Sequence, residues 1–320
     1  MKIAFFGSGE FSKNIFESIL IYKDVNIVLV VSTPDKMVGR KQILEMTPLK
    51  RSAQKKEIQI LQPEKIRKNE VFFKTLNELD LDFIIVVAYG KIIPKEILGI
   101  PKFGCINIHG SLLPLYRGAS PIQESLKNGD KKTGLTIMYM SEGMDEGDIL
   151  AQKEVKIDIV DKAIDIFKKF EEIAPELLYN TLHKIIKKEI IPKKQEEARA
   201  NYCSKINKED GKIDFHTMKA GDIYNLFRAY FPWPGIYTYY EKKKFDIENC
   251  YFHDTREVEK SFSEEQLLPG KVLKIDKRTI GIVCADKKIL ILNQVKLEGK
   301  KSMDIVSFIN GNKNFLDYNF

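Results

Sequence analysis

Apolar runs alternate with helix-spaced apolar residues along the first half of the chain. Val28–Val31 and Phe83–Val87 are continuously apolar, as strands covered on both faces must be. Phe11–Leu20 and Val71–Leu79 instead repeat apolar residues at three- and four-residue steps, which indicates helices. This alternation predicts an α/β fold with a doubly wound, mostly parallel sheet. Its predicted strands are Lys2–Gly7, Asn26–Ser32, Ile58–Leu61, Asp82–Ala88 and Cys105–His109.

The pattern changes further along the chain. A long helix-spaced stretch, Asp161–Lys188, is the natural last element of a first domain, and the polar, aperiodic stretch after it suits a linker. Beyond that stretch, one predicted helix, Met218–Tyr230, precedes short β-rich runs that are typical of a small barrel or sandwich. We therefore predict a first domain at residues 1–190, a linker at 191–204 and a second domain at 205–320. The remaining predicted strands are Thr133–Met140, Ile149–Ile157, Ile236–Tyr240, Lys271–Ile275, Thr279–Cys284 and Ile289–Val295.

Composition narrows the class of protein. With 320 residues, of which 43% are hydrophobic and 30% charged, the chain is typical of a soluble protein with two domains. The apolar run at the start is too short for a signal peptide, and no stretch approaches the ~18 apolar residues of a membrane span, so we expect a cytoplasmic protein. The four cysteines lack paired or zinc-binding spacing, which argues against a disulfide framework or a metal site. The formal net charge of +7 permits an anionic partner.

The segment Gly7-Ser-Gly-Glu-Phe-Ser12 follows the first predicted strand and opens a helix, which is the position of a dinucleotide-binding fingerprint. Ser12 stands where that fingerprint has its third glycine, and the second strand closes on Ser32-Thr-Pro34 without an acidic residue. A tight strand-to-helix turn therefore explains the segment better than a pyrophosphate site does. A dehydrogenase is disfavoured.

A more informative segment is Cys105–Pro114, where a predicted buried strand runs into a polar loop. Residues two apart in a strand point the same way, so Asn107 and His109 project together at the carboxyl end, where parallel sheets bind ligands. Cys105 shares that face, but four strand residues separate it from His109 by roughly 13 Å, beyond hydrogen-bond reach. A Cys–His nucleophile is therefore disfavoured, and no G-x-S-x-G elbow surrounds Ser111.

Two loops carry further polar candidates. Asp145 lies in Gly143–Gly147, whose two glycines permit a sharp turn. Spacing alone allows Asp145 to be either a solvated turn residue or a carboxylate beside His109. The basic stretch Val38-Gly-Arg-Lys41 follows the second strand, and a solvated loop accounts for it as well as a binding loop does.

Several segments together resemble the methionyl-tRNA formyltransferase family of folate-dependent formyltransferases. Their order and spacing fit through the first domain, and the turn Phe231-Pro-Trp-Pro-Gly235 extends the resemblance into the second. The resemblance implies a Rossmann-like catalytic domain followed by a smaller, OB-like β-barrel domain. The first-domain segments that carry it are Ala88–Pro94, Gly104–Pro114, Arg117–Gln123, Thr133–Met138 and Gly143–Ile149.

The resemblance also implies an enzyme and its site residues. The reaction would transfer a formyl group from the co-substrate 10-formyltetrahydrofolate to the α-amino group of methionyl initiator tRNA. Asn107 and protonated His109 would stabilise the oxyanion, and Asp145 would assist proton transfer. Arg40 and Lys41 would contact tRNA, in a loop that is shorter here than the Pro-Ala-Gly-Arg-Gly-Lys-Lys run of many members. The residues expected to contact the folate are Val87, Ala88, Tyr89, Ser111, Leu112, Leu113 and Pro114.

Two other functions compete with this one: a formyltransferase acting on a nucleotide-sugar amine, and a non-catalytic RNA-binding relative. The basic linker and the Trp-bearing second domain favour tRNA, because a small substrate needs no extended basic surface. We expect a monomer that needs no metal and does not associate with a membrane.

Overall fold

The first half of the chain is built on one sheet, to which the described residues contribute seven strands. The structure is a computed structural model that describes residues 1–38, 42–252 and 260–320. Five neighbouring strands run parallel, and two strands at one edge run antiparallel, which confirms the predicted mostly parallel sheet. From that edge the strands are β10 (Ile149–Lys156), β9 (Lys132–Tyr139), β7 (Cys105–His109), β6 (Phe83–Val87), β1 (Lys2–Gly7), β2 (Asn26–Val31) and β5 (Gln59–Leu61).

Six α-helices and two small sheets lie between residues 10 and 203 among the described residues. The three predicted helices occur within two residues of their expected ends, whereas the other helices are short and carry few buried apolar residues to mark them. The small sheets pair β3 (Lys36–Val38) with β4 (Ile43–Glu45), and β8 (Arg117–Gly118) with β11 (Tyr202–Cys203). The helices are α1 (Glu10–Ile19), α2 (Pro48–Lys55), α3 (Glu70–Glu78), α4 (Lys95–Leu98), α5 (Pro121–Lys127) and α6 (Ala163–Ile186).

The turn between β1 and α1 shows why a third glycine is absent from it. Ser12 is fully buried, and its Oγ donates to the Val87 carbonyl oxygen of β6 at 2.5 Å while accepting from the Ser8 N–H at 3.2 Å. A Cβ at Gly7 would lie 2.8 Å from the same carbonyl oxygen, so glycine is required there. The Ser12 hydroxyl therefore ties α1 to β6, in agreement with a tight strand-to-helix turn.

The chain divides into two units, which do not follow one another simply in sequence. The first unit contains Met1–Pro121, Lys132–Lys156 and Phe167–Ser204. The second contains Ile122–Lys131, Ile157–Ile166 and Lys205–Phe320. Most of α5 and the start of α6 therefore pack with the second unit. The domain boundaries drawn from the sequence stay predictions.

The second unit carries an antiparallel sheet that forms a half-barrel, which confirms the expected OB-like second domain. The predicted helix in this unit is α7 (Ala220–Tyr230), and a short helix, α8 (Ile305–Gly311), begins after the Asp304 cap. The strands in sheet order are β12 (Ile236–Tyr240), β13 (Lys243–Phe252), β16 (Ile289–Leu297), β15 (Ile280–Val283) and β14 (Val272–Lys274), with β17 (Met303–Asp304) paired to β16.

The longest of these strands, β13, is not predicted by the hydrophobic pattern. Phe245 and Ile247 are buried two residues apart, but the next buried residue is Cys250. The register against β16 shifts between Ile247 and Asn249 and again between Asn249 and Cys250. Irregularities of this kind break the alternation by which a strand is recognised in sequence.

Candidate active site

Asn107 and His109 lie at the end of β7, between β6 and β9. Asn107 is opposite Val86 of β6 and Met138 of β9, so apolar residues flank it on both sides. The two polar side chains are 9% and 5% exposed. Polar groups buried to this extent require hydrogen-bond partners, and a strand surrounded by apolar neighbours does not provide them. The partners come from loops that reach the end of the strand.

Asp145 is a partner of both side chains. Asn107 Nδ2 donates to Asp145 Oδ1 at 3.4 Å, and Asp145 Oδ2 lies 3.5 Å from His109 Nδ1. The Gly118 N–H donates to the same Oδ2 at 2.8 Å, which is the shortest of the three contacts. The structure therefore brings together the three residues that the resemblance assigns to catalysis. Spacing in the sequence had left the place of Asp145 open.

The orientation of the His109 ring is set from both sides. Nε2 lies 2.9 Å from the Tyr116 carbonyl oxygen. A carbonyl oxygen only accepts, so Nε2 carries a proton and Nδ1 is the nitrogen that faces the carboxylate of Asp145. Cys203 Sγ donates to the same carbonyl at 3.5 Å. When Nδ1 is protonated as well, the imidazolium forms an ion pair with Asp145.

The loop Ser111–Pro114, which is expected to contact folate, is shaped by hydrogen bonds within the protein. Thr136 Oγ1, on β9, donates to the Ser111 carbonyl oxygen at 2.6 Å and accepts from the Leu113 N–H at 3.1 Å. Gln152 Nε2, on β10, donates to the Leu113 carbonyl oxygen and to Thr136 Oγ1, both at 2.9 Å. The contacts of Thr136 and Gln152 with the loop were not predicted, although a Thr between the apolar residues Leu135 and Ile137 could have indicated a hydrogen-bonding role for Thr136. They give the loop one defined shape.

The other segment expected to contact folate, Val87–Tyr89, follows directly from β6. Ala88 is exposed and has a φ of +46°, in the left-handed region that few non-glycine residues adopt. Tyr89 is buried, with its ring 5.4 Å from that of Phe6, and burial raises its pKa to about 12. Its Oη has no hydrogen-bond partner among the described residues. A buried hydroxyl in this state is a natural point of contact for a polar group of a bound ligand.

The Cys105 thiol contacts α4 and not Asn107, His109 or Asp145 in the hydrogen bonds that the structure shows. Its Sγ donates to the Ile97 carbonyl oxygen of α4 at 3.7 Å, and burial raises the pKa of the thiol to about 12. A thiol with so high a pKa is a poor nucleophile at neutral pH, which agrees with its predicted role as a small buried residue. Across the described ranges all four cysteines are free, and no group of acidic, Cys or His side chains is arranged to hold a metal ion.

Arg40 and Lys41, the residues expected to contact tRNA, lie outside the described residues. On either side of them the chain forms the antiparallel pair β3–β4. Next to β3, Lys50 Nζ forms an ion pair with Asp35 Oδ2 at 2.6 Å. A hydrogen bond from Gln62 and, to a smaller extent, one from Lys50 lower the pKa of Asp35.

In the part of the chain that the structure describes, no helix has the length and apolar character to cross a bilayer.

Gln195 contacts the backbone of the loop that carries Asp145, and Arg117 contacts Gln195; neither contact was predicted. Gln195 Nε2 donates to the backbone carbonyl oxygens of Asp145 and Gly147, at 2.7 and 2.8 Å. Arg117, which is fully buried, donates through Nε to Gln195 Oε1 at 3.0 Å. Gln195 lies in the polar, aperiodic stretch that was expected to be a linker, where no periodicity marks a structural role. In the sequence, the one sign of this arrangement was Arg117 itself, a charged residue directly after the mostly apolar stretch Leu112–Tyr116.

Comparison with known proteins gives this cluster a context. A family model described as formyl transferase matches residues 1–182, and one described as formyl transferase, C-terminal domain, matches residues 205–313. The chain is 43% identical to the methionyl-tRNA formyltransferase of Caldicellulosiruptor saccharolyticus, over 98% of this chain and 97% of that protein. It is 39% identical to the methionyl-tRNA formyltransferase of Caldanaerobacter subterraneus, over 97% of each.

A solved structure agrees with the fold. The crystal structure of an N-formyltransferase from Helicobacter canadensis, in complex with folinic acid and dTDP-3-aminofucose, superposes with a TM-score of 0.65. That likeness covers 91% of this chain and 98% of the other at 21% identity, so it concerns the fold alone. The two family models, and identities of 43% and 39% over nearly the full length of the chain, show its family as well as its fold. The chain belongs to the methionyl-tRNA formyltransferase family of formyl transferases.

Proposed function

We propose that this chain transfers the formyl group of 10-formyltetrahydrofolate to the α-amino group of methionyl initiator tRNA. The observation that carries the proposal is the placement of the Asp145 carboxylate within 3.4 Å of Asn107 Nδ2 and 3.5 Å of His109 Nδ1. Membership of the family supplies the reaction, and this cluster supplies side chains that suit it.

The residues suit acyl transfer by direct attack of an amine. Such an attack places negative charge on the formyl oxygen, and each donor aimed at a charge of that kind is worth about 3–4 kcal/mol in a buried site. Asn107 Nδ2, which carries a second hydrogen besides the one given to Asp145, is one donor, and the Nδ1–H of a protonated His109, shared with the Asp145 carboxylate at 3.5 Å, is the other. Asp145 stabilises the imidazolium, accepts the proton that the attacking nitrogen loses, and passes this proton towards the departing nitrogen of the folate. Within this scheme no residue forms a covalent bond to the formyl group.

The folate would be held by the two segments at the same end of the sheet, Val87–Tyr89 and Ser111–Pro114. The first segment fits a bound heterocycle because Ala88 is exposed with a φ of +46° and Tyr89 Oη lacks a partner among the described residues. The second offers a loop whose shape Thr136 and Gln152 already set. A preorganised loop loses less conformational entropy when it binds a ligand.

We also propose that Arg40 and Lys41, together with the second domain at residues 205–320, contact the tRNA, and that residues 1–190 form the catalytic domain with a basic linker at 191–204. A tRNA contact made through Lys and Arg predicts an affinity that falls steeply with salt. A monomeric state and a cytoplasmic location complete the proposal.

The test is a substrate comparison combined with one substitution. The protein is incubated with 10-formyltetrahydrofolate and either methionyl initiator tRNA or a nucleotide-sugar amine, and formyl transfer is measured. We expect transfer to the tRNA, and a His109→Ala variant should lose ~10²-fold or more in kcat with tRNA binding retained. If formyl transfer occurs only to the nucleotide-sugar amine, that amine and not the tRNA is the substrate. If the protein binds tRNA but transfers no formyl group to either substrate, it is a non-catalytic RNA-binding relative.

A further inference from the structure

The segment at residues 193–204 is joined to strands and loops of the first unit at several points. Lys193 exchanges two backbone hydrogen bonds with Ile149, both at 2.8 Å, at the start of β10. Further along, the Arg117 N–H donates to the Asn201 carbonyl oxygen at 2.9 Å, and the Ala119 N–H donates to that of Cys203 at 3.2 Å. The segment is therefore held at both ends, by an antiparallel bridge between Lys193 and Ile149 and by the parallel pairing of β11 with β8.

Gln195 is the residue of this segment that reaches the acidic loop, Ser141–Gly147. The orientation of its amide is unambiguous, because Arg117 Nε can only donate and the carbonyl oxygens of Asp145 and Gly147 can only accept. The NH₂ group thus joins the backbone on both sides of the loop tip, and the amide oxygen is held by Arg117.

The loop tip has a conformation that needs such support. Asp145 has a φ of +54°, in the left-handed region that glycine adopts freely and that Asp and Asn adopt only occasionally, as single residues. A conformation of this kind persists only where its surroundings determine it. Gly147 is confined as well, because a Cβ there would lie 1.7 Å from the Tyr139 carbonyl oxygen. The direction of the Asp145 carboxylate towards Asn107 and His109 follows from this turn.

We infer that Gln195 is a positioning residue, which holds the Asp145 carboxylate in place for the reaction by fixing the backbone of the acidic loop, with Arg117 as its anchor. Gln195 touches neither Asn107 nor His109 in the contacts that the structure shows, so it acts through Asp145. The inference rests on the proposed function, because it takes Asp145 as a group that acts in formyl transfer.

The test uses Gln195→Glu in the full chain. This change keeps an oxygen for Arg117 Nε and replaces the NH₂ donor by an oxygen that faces two carbonyl oxygens. With 10-formyltetrahydrofolate and methionyl initiator tRNA, we expect kcat to fall roughly 10- to 100-fold, because a displacement of about 1 Å in a reacting group has an effect of that size. KM for each substrate should stay within about threefold, because Gln195 lies outside the proposed binding segments.

Two further variants separate positioning from folding. Gln195→Met removes the donor without adding charge, so it should lower kcat in the same way while tetrahydrofolate binding, measured by titration, is unchanged. Glu196→Gln is the matched control. The Glu196 side chain, next to Gln195 in sequence, is exposed, and its ion pair with Arg199, at 3.8 Å, is weak. A loss of folate binding or a collapse of the thermal midpoint in both Gln195 variants would show a structural role and overturn the inference.

A double-mutant cycle with Asp145→Asn decides whether Gln195 acts through Asp145. Asn tolerates a left-handed conformation, so this substitution removes the charge and keeps the turn. In the Asp145→Asn background, Gln195→Glu should change kcat less than about twofold, because the two residues act on one step. An equal fall in both backgrounds would overturn the inference. If Asp145→Asn alone leaves kcat unchanged, the role proposed for Asp145 fails, which is a different result from a fall in Asp145→Asn without any effect of Gln195→Glu.

Discussion

Among the described residues two arginine side chains are buried, one in each unit, and their partners differ. Arg117 forms a bidentate ion pair with Glu197, through Nη2–Oε1 at 2.7 Å and Nη1–Oε2 at 3.0 Å. The hydrogen bonds that Arg117 donates to Glu197 raise the pKa of Arg117. Arg228 instead donates to the Asp161 carbonyl oxygen at 3.0 Å and to Asn225 Oδ1 at 2.6 Å, and burial lowers its pKa.

The difference in partners corresponds to a difference in what each arginine connects. The carboxylate of Glu197 stabilises the positive charge of Arg117. The N–H on Nε of the rigid guanidinium group donates to Gln195 beside the acidic loop. Arg228 joins α7 to the start of the segment before α6, all within the second unit. Burial of a charged residue therefore does not mark a functional residue by itself. The residues that it contacts decide its role.

Substitution of the two arginines by Leu should separate catalysis from architecture, and this is the largest effect that we expect. Arg117→Leu removes the anchor of Gln195, so kcat for formyl transfer should fall about 10²-fold, the size that a misplaced reacting group produces. Arg228→Leu should leave kcat within about threefold at temperatures below its thermal midpoint, because no reacting group depends on it. Steady-state kinetics of both variants give the comparison. Equal values of kcat would place Arg117 with Arg228 as an architectural residue.

The parts of the fold that the sequence revealed are those in which one local pattern decides the structure. The continuously apolar runs Val28–Val31 and Phe83–Val87 became central strands of the sheet, and the long periodic stretch became α6. The strand β13 was hidden because its register shifts twice, which moves buried positions from one parity to the other. A pattern that depends on strict alternation does not detect it.

The candidate site divides in the same way. Asn107 and His109 could be paired from strand geometry, because residues two apart share a face. Asp145 was assigned through resemblance, since its place depends on a turn with positive φ in a separate loop. Gln195 was missed because its role depends on contacts 50 residues away in sequence, with the Asp145 carbonyl oxygen, and no local property of a polar segment encodes such a contact.

A second prediction concerns the stability of the second unit. Arg228→Leu removes the hydrogen bonds that Arg228 donates to the Asp161 carbonyl oxygen and to the partly buried Asn225 Oδ1, which costs about 1–3 kcal/mol in the free energy of unfolding. Denaturant unfolding of the full chain measures this loss. Arg278→Leu is the matched control, because Arg278 is exposed in the same unit and its replacement should change the free energy by less than about 0.5 kcal/mol. Equal stabilities of the two variants would mean that Arg228 contributes no more than a surface residue.

The smallest expected effect distinguishes the two arginines by pH. The hydrogen bond from Arg117 lowers the pKa of Glu197 below its ordinary value of 4.5. A carboxyl group whose pKa is lower in the folded than in the unfolded protein contributes stability that is complete above the unfolded value. That contribution is lost as the pH falls through the folded value. Arg228 donates to a carbonyl and an amide oxygen, neither of which titrates in this range.

The difference in unfolding midpoint between the unmodified chain and Glu197→Gln should therefore be constant above about pH 5 and should shrink at lower pH. The corresponding difference for Arg228→Leu should not shrink in that way. Because the Glu197 side chain is 72% exposed, solvent screens its interaction, and the change with pH should be small. Unfolding midpoints measured from pH 7 down to about pH 3 give both curves. A Glu197→Gln difference that does not vary with pH would show that the carboxylate acts on Arg117 through hydrogen bonding alone, and charge would no longer separate the two arginines.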